Sequence, residues 1–459
     1  MQADTLITGG EIVNATGRQH GAIAIRDGRI LAIVSDPTGV NAQRTIDARG
    51  AKIFPGLIDT HSHHREPGFT HKEDIITATS GCAAGGVTTT FAMPNVQPPP
   101  NNVERLRAMM DLYEQKAIVD WNINASAVNI DQLEAMSKMG IAAFKIFMVE
   151  DTGRDYPHMP GIGVHDHGKL MAIMEKCAQI DMPLMVHPHD QHIMGHIEQK
   201  YWGRGERDAQ AYARAFTEGD GVVFESAIGT LIRLQAATGV HLHILHIQTT
   251  GSVEMLREAK GRGQRITAEI NPWAIFLGHD WKNIERLGAY ALAHWVPERH
   301  LPALWNGLRD GTIDIVATDH APHTHEDKKL GPVDCWKAHT GIPAHQEYLS
   351  LLVDSGQISL ERIVEATSTT PARIFRLPRK GRIETGADAD LVIIDTDATF
   401  TITNEAALNK SGWTPFDGRT LRGVVKETLV RGQTVYRDGK VVAQPGTGRQ
   451  AAAAAGVPA

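Results

Sequence analysis

Cysteine is scarce. Only Cys82, Cys177 and Cys335 occur in 459 residues, odd in number and widely spaced. That pattern excludes a disulfide framework and fits a reducing compartment, so a cytoplasmic location is expected. No apolar run approaches the roughly 20 residues a membrane helix needs. The opening Met1-Gln2-Ala3-Asp4 has no basic stretch followed by an apolar one, so no signal peptide is expected. A basic excess is also missing: net charge is -7, which argues against a nucleic-acid footprint. Aromatic residues are only 6%, while hydrophobic residues reach 42% and charged residues 22%, ordinary for a globular chain with a large core.

Histidine, by contrast, is abundant, with 23 residues. Neutral imidazole is the commonest metal ligand and an acid or base in the physiological range. Position decides whether these histidines are scattered surface residues or ligands.

The two ends share a β-like texture. Leu6-Ile7-Thr8 precedes Gly9-Gly10, and Ala22-Ile23-Ala24-Ile25 precedes the hairpin dipeptide Asp27-Gly28. Residues 390–395, 427–430 and 434–436 read the same way. The ends are therefore expected to pair into one small β-sandwich domain, residues 1–52 with 386–444. Residues 53–385 form the unit between them. The Gly-, Pro- and Ala-rich stretch 445–459 reads as a flexible tail.

The middle alternates apolar runs with helical patterns. Eight candidate strands are Ile53–Ile58, Val87–Ala92, Trp121–Ala127, Ala142–Met148, Pro183–Val186, His241–Leu245, Arg265–Ile270 and Ile313–Ala317. Helix-like segments between them include Val103–Lys116, Lys169–Ala178, Ala227–Ala237, Val253–Arg262 and Leu301–Leu308. Eight βα units predict an α/β, TIM-like (β/α)₈ barrel, with a doubly wound open sheet as the alternative.

Chemistry on such a barrel gathers at the C-terminal ends of the strands. The first candidate strand runs into Asp59-Thr60-His61-Ser62-His63, and the second into Met93-Pro94-Asn95. The fourth holds Lys145; the fifth and sixth end at His187 and His246. The eighth runs into Thr318-Asp319-His320. His61 and His63 are two apart on an extended end, so both rings face one way, as two ligands of one metal must. Lys145 lies within Ala-Ala-Phe-Lys-Ile-Phe-Met. Burial there lowers an amine's pKa, and a neutral amine can add carbon dioxide to give a carbamate that bridges two metals. A lysine snorkelling to water is the equal alternative. Asp319 reads as ligand and proton carrier, against a plain helix N-cap.

Together these residues resemble the amidohydrolase superfamily, in its cyclic amidase branch of dihydroorotases, allantoinases and hydantoinases. The resemblance spans nearly the whole chain. It rests on Pro55-Gly56-Leu57-Ile58-Asp59-Thr60-His61-Ser62-His63, Arg65-Glu66-Pro67-Gly68, Gly85-Gly86-Val87-Thr88-Thr89, Met93-Pro94-Asn95 and Ala317-Thr318-Asp319-His320-Ala321-Pro322-His323. Lys380-Gly381-Arg382-Ile383-Glu384 and Gly386-Ala387-Asp388-Ala389-Asp390-Leu391 match the return into the β domain.

The resemblance implies hydrolytic opening of a cyclic amide ring at two divalent metals, commonly zinc. His61, His63 and Asp319 would hold one metal and His187 and His246 the other, with carboxylated Lys145 bridging. Asp319 would also carry the proton. Arg65 and Asn95 match positions that bind a substrate carboxylate in dihydroorotases, with His323 as a third contact; for Arg65 the alternative is an ion pair with Glu66 or Asp74. An allantoinase- or hydantoinase-like reaction on an uncharged ring is the other reading, because Phe144-Lys145-Ile146-Phe147-Met148 resembles those enzymes more. A homo-oligomer, dimer or tetramer, is expected, with Trp202, Trp281 and Trp295 as candidate interface anchors. Departures from the family pattern cluster near the expected pocket. Glu150 stands where hydantoinases carry a tyrosine, a role Tyr156 could fill; His189-Asp190, Gln248 and Trp273 are further changes. All six ligand positions are filled, which opposes a non-catalytic scaffold.

Overall fold

The computed structural model describes residues 1–149, 161–291 and 295–454. Glu150 and Tyr156 lie outside the described residues. Eight parallel strands make the central sheet: β1 (Leu57–Ser62), β2 (Val87–Ala92), β3 (Asp120–Ser126), β4 (Ala143–Phe147), β5 (Leu184–His187), β6 (Leu242–Ile244), β7 (Ile266–Ile270) and β8 (Ile315–Val316). Each pairs with its sequence neighbour, for example Phe144↔Leu184 and Val186↔Ile244. A parallel bridge from Ser62 to His320 and a His63 N–H donating to His320 O (2.7 Å) bring the first and last strands together. The sheet thus closes into the expected barrel. Helices fall between the strands because their apolar positions repeat at helical spacing. Val103–Lys116 is one: it buries Leu106, Met109, Met110 and Tyr113, and Asn102 caps its first turn by accepting from Arg105 N.

The floor of the barrel is packed, not open. Ile58, Phe91, Ala143, Met185, Leu245 and Ile315 meet Phe375, which follows the helix Thr370–Ile374. Phe91 and Phe375 contact edge to face at 5.3 Å. Each fully buried side chain of this size contributes about 1.5–3 kcal/mol of transfer free energy. The floor therefore leaves the opposite end, where the strands' C-termini lie, for chemistry.

The apolar run Ile53–Ile58 is two strands, not one. Lys52–Pro55 pairs with Leu391–Ile394 in a seven-stranded sheet that mixes both chain ends, and β1 begins at Leu57. Gly56 sits at the break. A Cβ there would lie 2.1 Å from Thr88 Oγ1, so only glycine lets the chain turn from one sheet into the other. A four-stranded sheet from the N-terminal part packs on the mixed sheet through Ile7, Ile12, Ile23, Ile25, Ile53, Leu391, Ile393 and Leu429.

Residues 445–454, expected as flexible, lie along the barrel. The Trp121 N–H donates to Arg449 O (3.0 Å), Ala451 N–H to Trp121 O (2.8 Å) and Ala454 N–H to Arg376 O (2.9 Å). The smallness that suggested mobility is what permits the docking: a Cβ on Gly448 would sit 2.0 Å from Val119 O. The candidate anchors Trp281 and Trp295 stack on each other edge to face at 4.9 Å, and Trp202 packs on Trp336. Among the described residues no helix is long and apolar enough to cross a membrane.

Candidate active site

The residues singled out at the strand ends converge. The His61 and His246 ring centroids are 4.8 Å apart, His61 and His63 5.3 Å, and His187 and His246 4.9 Å. Asp319 enters between them, with Oδ1 3.1 Å from His61 Nε2 and 3.2 Å from His63 Nε2. His61, His246 and Asp319 each place a ligand atom within 4.8 Å of the others, so these three side chains line a common metal centre that one or more cations could occupy. Burial alone would raise the Asp319 pKa, but the His61, His246 and His63 rings outweigh it and hold the carboxyl well below its usual range. It is thus an anion ready to ligate or to accept a proton.

Lys145 is fully buried in β4, and its Nζ has no hydrogen-bond partner among the described residues. The amine lies 4.3 Å from the centre of the Phe147 ring. Burial pulls its pKa down from 10.5 to about 7, against the pull of Glu269 and Asp319. The snorkelling alternative is therefore corrected: the chain around Lys145 gives its head no route to water. A buried orphan amine beside four histidines and an aspartate fits a bridging carbamate, whose added oxygens would take up the missing contacts.

Three backbone positions at this mouth are strained. Arg65 (φ 61°), His246 (φ 57°) and Asp319 (φ 48°) adopt the left-handed region without being glycine. Such conformations cost on the order of 1–3 kcal/mol each and persist where the surroundings impose them. His246 and Asp319 among them carry side chains of the cluster.

Behind the rings stands a layer of which sequence patterning singles out Asn95 but neither Glu269 nor Asn271. His61 Nδ1 lies 2.6 Å from Glu269 Oε1, His63 Nδ1 2.6 Å from Asn95 Oδ1, and His246 Nδ1 2.9 Å from Asn271 Oδ1. Each oxygen accepts the Nδ1 proton and so leaves the lone pair on Nε2 of that ring. Glu269 Oε2 also meets His243 Nε2 at 3.4 Å. The signal for Glu269 was a carboxylate inside the buried run Ile-Thr-Ala-Glu-Ile, where a charge needs a partner. Asp59 fixes the last strand by accepting from Thr318 N (2.9 Å) and Thr318 Oγ1 (2.6 Å).

One flank of the mouth is cationic. Arg65 donates to His323 Nε2 (3.0 Å) and to Pro322 O (3.3 Å), while Glu66 pairs with Lys116. Lys72 Nζ lies 2.7 Å from His339 Nδ1, 3.2 Å from Asp327 Oδ1 and 3.3 Å from His323 Nδ1. Burial, with help from Arg65, lowers the Lys72 pKa to about 8. The His323 carbonyl accepts from Trp413 Nε1 (2.7 Å), in the segment between the two long β-domain strands Leu391–Thr401 and Thr420–Val430. Asn95 Nδ2, buried, has no hydrogen-bond partner among the described residues.

The model of the amidohydrolase family matches residues 53–435. The chain belongs to the amidohydrolase family. It is similar to a dihydroorotase of Methanosarcina acetivorans, 34% identical over 444 residues, covering 93% of this chain and 90% of that one. It is similar, too, to an L-hydantoinase of Paenarthrobacter aurescens, 30% identical over 460 residues and covering 97% of each. Among solved structures it resembles the L-hydantoinase (dihydropyrimidinase) from Arthrobacter aurescens, with a TM-score of 0.92, 28% identity and coverage of 97% and 99%. Members of this family are typically metal-dependent, and the converging donors above suit that.

Two of the residues expected to reshape the pocket lie beside the converging histidines. Trp273, buried in the first turn of the helix Pro272–Phe276, has its ring 6.4 Å from His246. His189 lies 6.1 Å from His187 and packs on Phe216 and Phe224. Gln248 is buried, and its Nε2 has no hydrogen-bond partner among the described residues.

Proposed function

We propose that this amidohydrolase opens a cyclic amide ring by adding water across a ring C–N bond. The observation that carries the reading is the buried Lys145 amine, without a hydrogen-bond partner among the described residues, in the company of His61, His63, His187, His246 and Asp319. That donor set fits two divalent cations bridged by a carbamate formed from Lys145 and carbon dioxide. His61, His63 and Asp319 would hold one cation, and His187 and His246 the other. Imidazole nitrogens with carboxylate oxygens suit zinc. Such metals supply an activated water nucleophile and polarise the carbonyl it attacks.

The remaining work falls to the chain's own groups. Asp319, held anionic among the rings, takes the proton released by the attacking water and delivers it to the leaving ring nitrogen. One C–O bond forms, one C–N bond breaks, and the products are a carboxylate and an amide or urea nitrogen bearing the transferred proton. Trp273 and the closed barrel floor exclude bulk water from one side.

Arg65, His323 and the unmatched Asn95 Nδ2 support a substrate bearing a carboxylate, as dihydroorotate does. A guanidinium fork and an amide N–H are complementary to a planar anion. A hydantoinase-type, uncharged ring is the second reading, favoured by the 0.92 TM-score against an L-hydantoinase. The test is kcat/KM for dihydroorotate against hydantoin and dihydrouracil, in wild type and Arg65→Met. Preference for dihydroorotate, lost in the variant, supports the carboxylate reading. Turnover of the neutral rings alone, unaffected by the variant, keeps ring opening and refutes the carboxylate.

A further inference from the structure

A second group of side chains that could hold a metal ion lies where β1, the following helix and the loop before Tyr348 meet. His64 follows β1, Cys82 lies on the helix α1 (Ile75–Ala84), and His345 lies on the loop before the helix Tyr348–Ser355. One ligand atom from each lies within 4.8 Å of the other two. All three side chains are buried to within 1%.

The outward atoms of both rings are anchored. His345 Nε2 lies 3.1 Å from Asp59 Oδ2 and 2.8 Å from Ser62 Oγ. His64 Nδ1 lies 2.7 Å from the Tyr113 hydroxyl. This leaves His345 Nδ1 facing Cys82 Sγ at 3.5 Å, and His64 Nε2 facing Thr90 Oγ1 at 3.3 Å. The Thr90 hydroxyl thus sits against the His64 nitrogen that faces the group. A carboxylate on the outer nitrogen of an inward-facing imidazole is the usual support of a metal-ligating histidine. The spacing matches as well. With metal–sulfur and metal–nitrogen bonds of about 2.3 and 2.05 Å at a tetrahedral angle, the N···S edge is about 3.6 Å.

We propose that His64, Cys82 and His345 bind a thiophilic cation of the zinc type, at a structural site separate from the catalytic centre. Binding replaces the thiol proton: Cys82–SH and M²⁺ give a thiolate–metal bond and one released proton. Without a cation, burial keeps the thiol protonated, its pKa pushed far above the ordinary value. The thiolate, with Asp59 and Glu73 nearby, offsets the buried positive charge. Because no ligand reaches solvent, the cation is taken up as the chain folds and resists later chelation. It ties β1, β2, α1 and the 345 loop together. His345 also stacks on His320 (3.7 Å between centroids, 2° between planes), the residue after Asp319.

Cobalt(II) gives a readout that needs no activity. The catalytic centre has no sulfur ligand, so thiolate-to-cobalt charge transfer in the near ultraviolet reports a cysteine site alone. Full-length protein produced in zinc-depleted, cobalt-supplemented medium is expected to show this absorption. Cys82→Ala should lose it with one fewer cobalt per chain, and Cys177→Ala and Cys335→Ala should retain it. If Cys82→Ala does not fold, His64→Gln serves instead and should weaken or shift the band. Absence of the band in wild type that holds catalytic cobalt overturns the proposal, as does an unchanged cobalt count and band in folded Cys82→Ala or His64→Gln.

Discussion

Replacing Glu269 with glutamine should weaken metal binding without unfolding the barrel. Its Oε1 accepts the His61 Nδ1 proton at 2.6 Å, and its Oε2 meets His243. The carboxylate does two things for His61: it fixes the tautomer that offers Nε2 to the metal, and its charge makes the Nδ1–H hydrogen bond a charge-assisted one. Glutamine keeps the shape and one acceptor but removes the charge. Loss of such an outer partner costs 10–100-fold in metal affinity, or about 1.4–2.7 kcal/mol. Alanine is the wrong probe, because it strands both His61 and His243 in a dry core and confounds affinity with stability. The assay is competition with a chelator of known affinity on metal-stripped protein, wild type against Glu269→Gln, with thermal melts to show an intact fold. Wild-type affinity in a folded Glu269→Gln refutes the claim that this carboxylate tunes His61.

Three further outcomes follow from the same geometry. Arg65→Met should lower kcat/KM for a carboxylate-bearing ring about 10–150-fold, the worth of one charge-assisted hydrogen bond of about 1.5–3 kcal/mol, measured by steady-state kinetics. Glu347 is buried (5% exposed) and its pKa is raised by that burial from 4.5 to about 7. Its contribution to stability is therefore full below pH 4.5 and is lost as pH rises through 7. Glu347→Gln should accordingly stabilise the fold by up to about 3 kcal/mol at pH 8 and by little at pH 4.5, as read by urea unfolding at both. Gly56→Ala should cost about 1–3 kcal/mol or more through its clash with Thr88, visible as a lowered Tm.

Much of this architecture is written in hydrophobic period and strand-end chemistry. Val87–Ala92 and Val103–Lys116 can be read from sequence at the bounds the structure shows, because one is a β-branched and aromatic run after Gly85-Gly86 and the other a clean helical repeat with a cap. The mouth residues are legible for another reason: a parallel barrel puts every strand's C-terminal polar residue on one rim. What escapes the sequence depends on distant partners. The break at Gly56 is hidden because both flanking segments are buried and apolar, though they belong to different sheets. Glu269, Asn271 and Lys72 act through partners that are often hundreds of residues away, such as His61 for Glu269. Compositional bias misleads at 445–454, where small residues serve close docking against Val119 and Trp121 and not flexibility.

The central claim, ring opening at a metal centre built around Lys145, is tested most directly by titrating chelated protein with zinc in the presence of bicarbonate while following hydrolysis of a cyclic amide. The account predicts activity that rises to a plateau at two equivalents per chain, and none at any zinc level in Lys145→Ala. Full turnover by the metal-stripped protein, or wild-type turnover by Lys145→Ala, would contradict it.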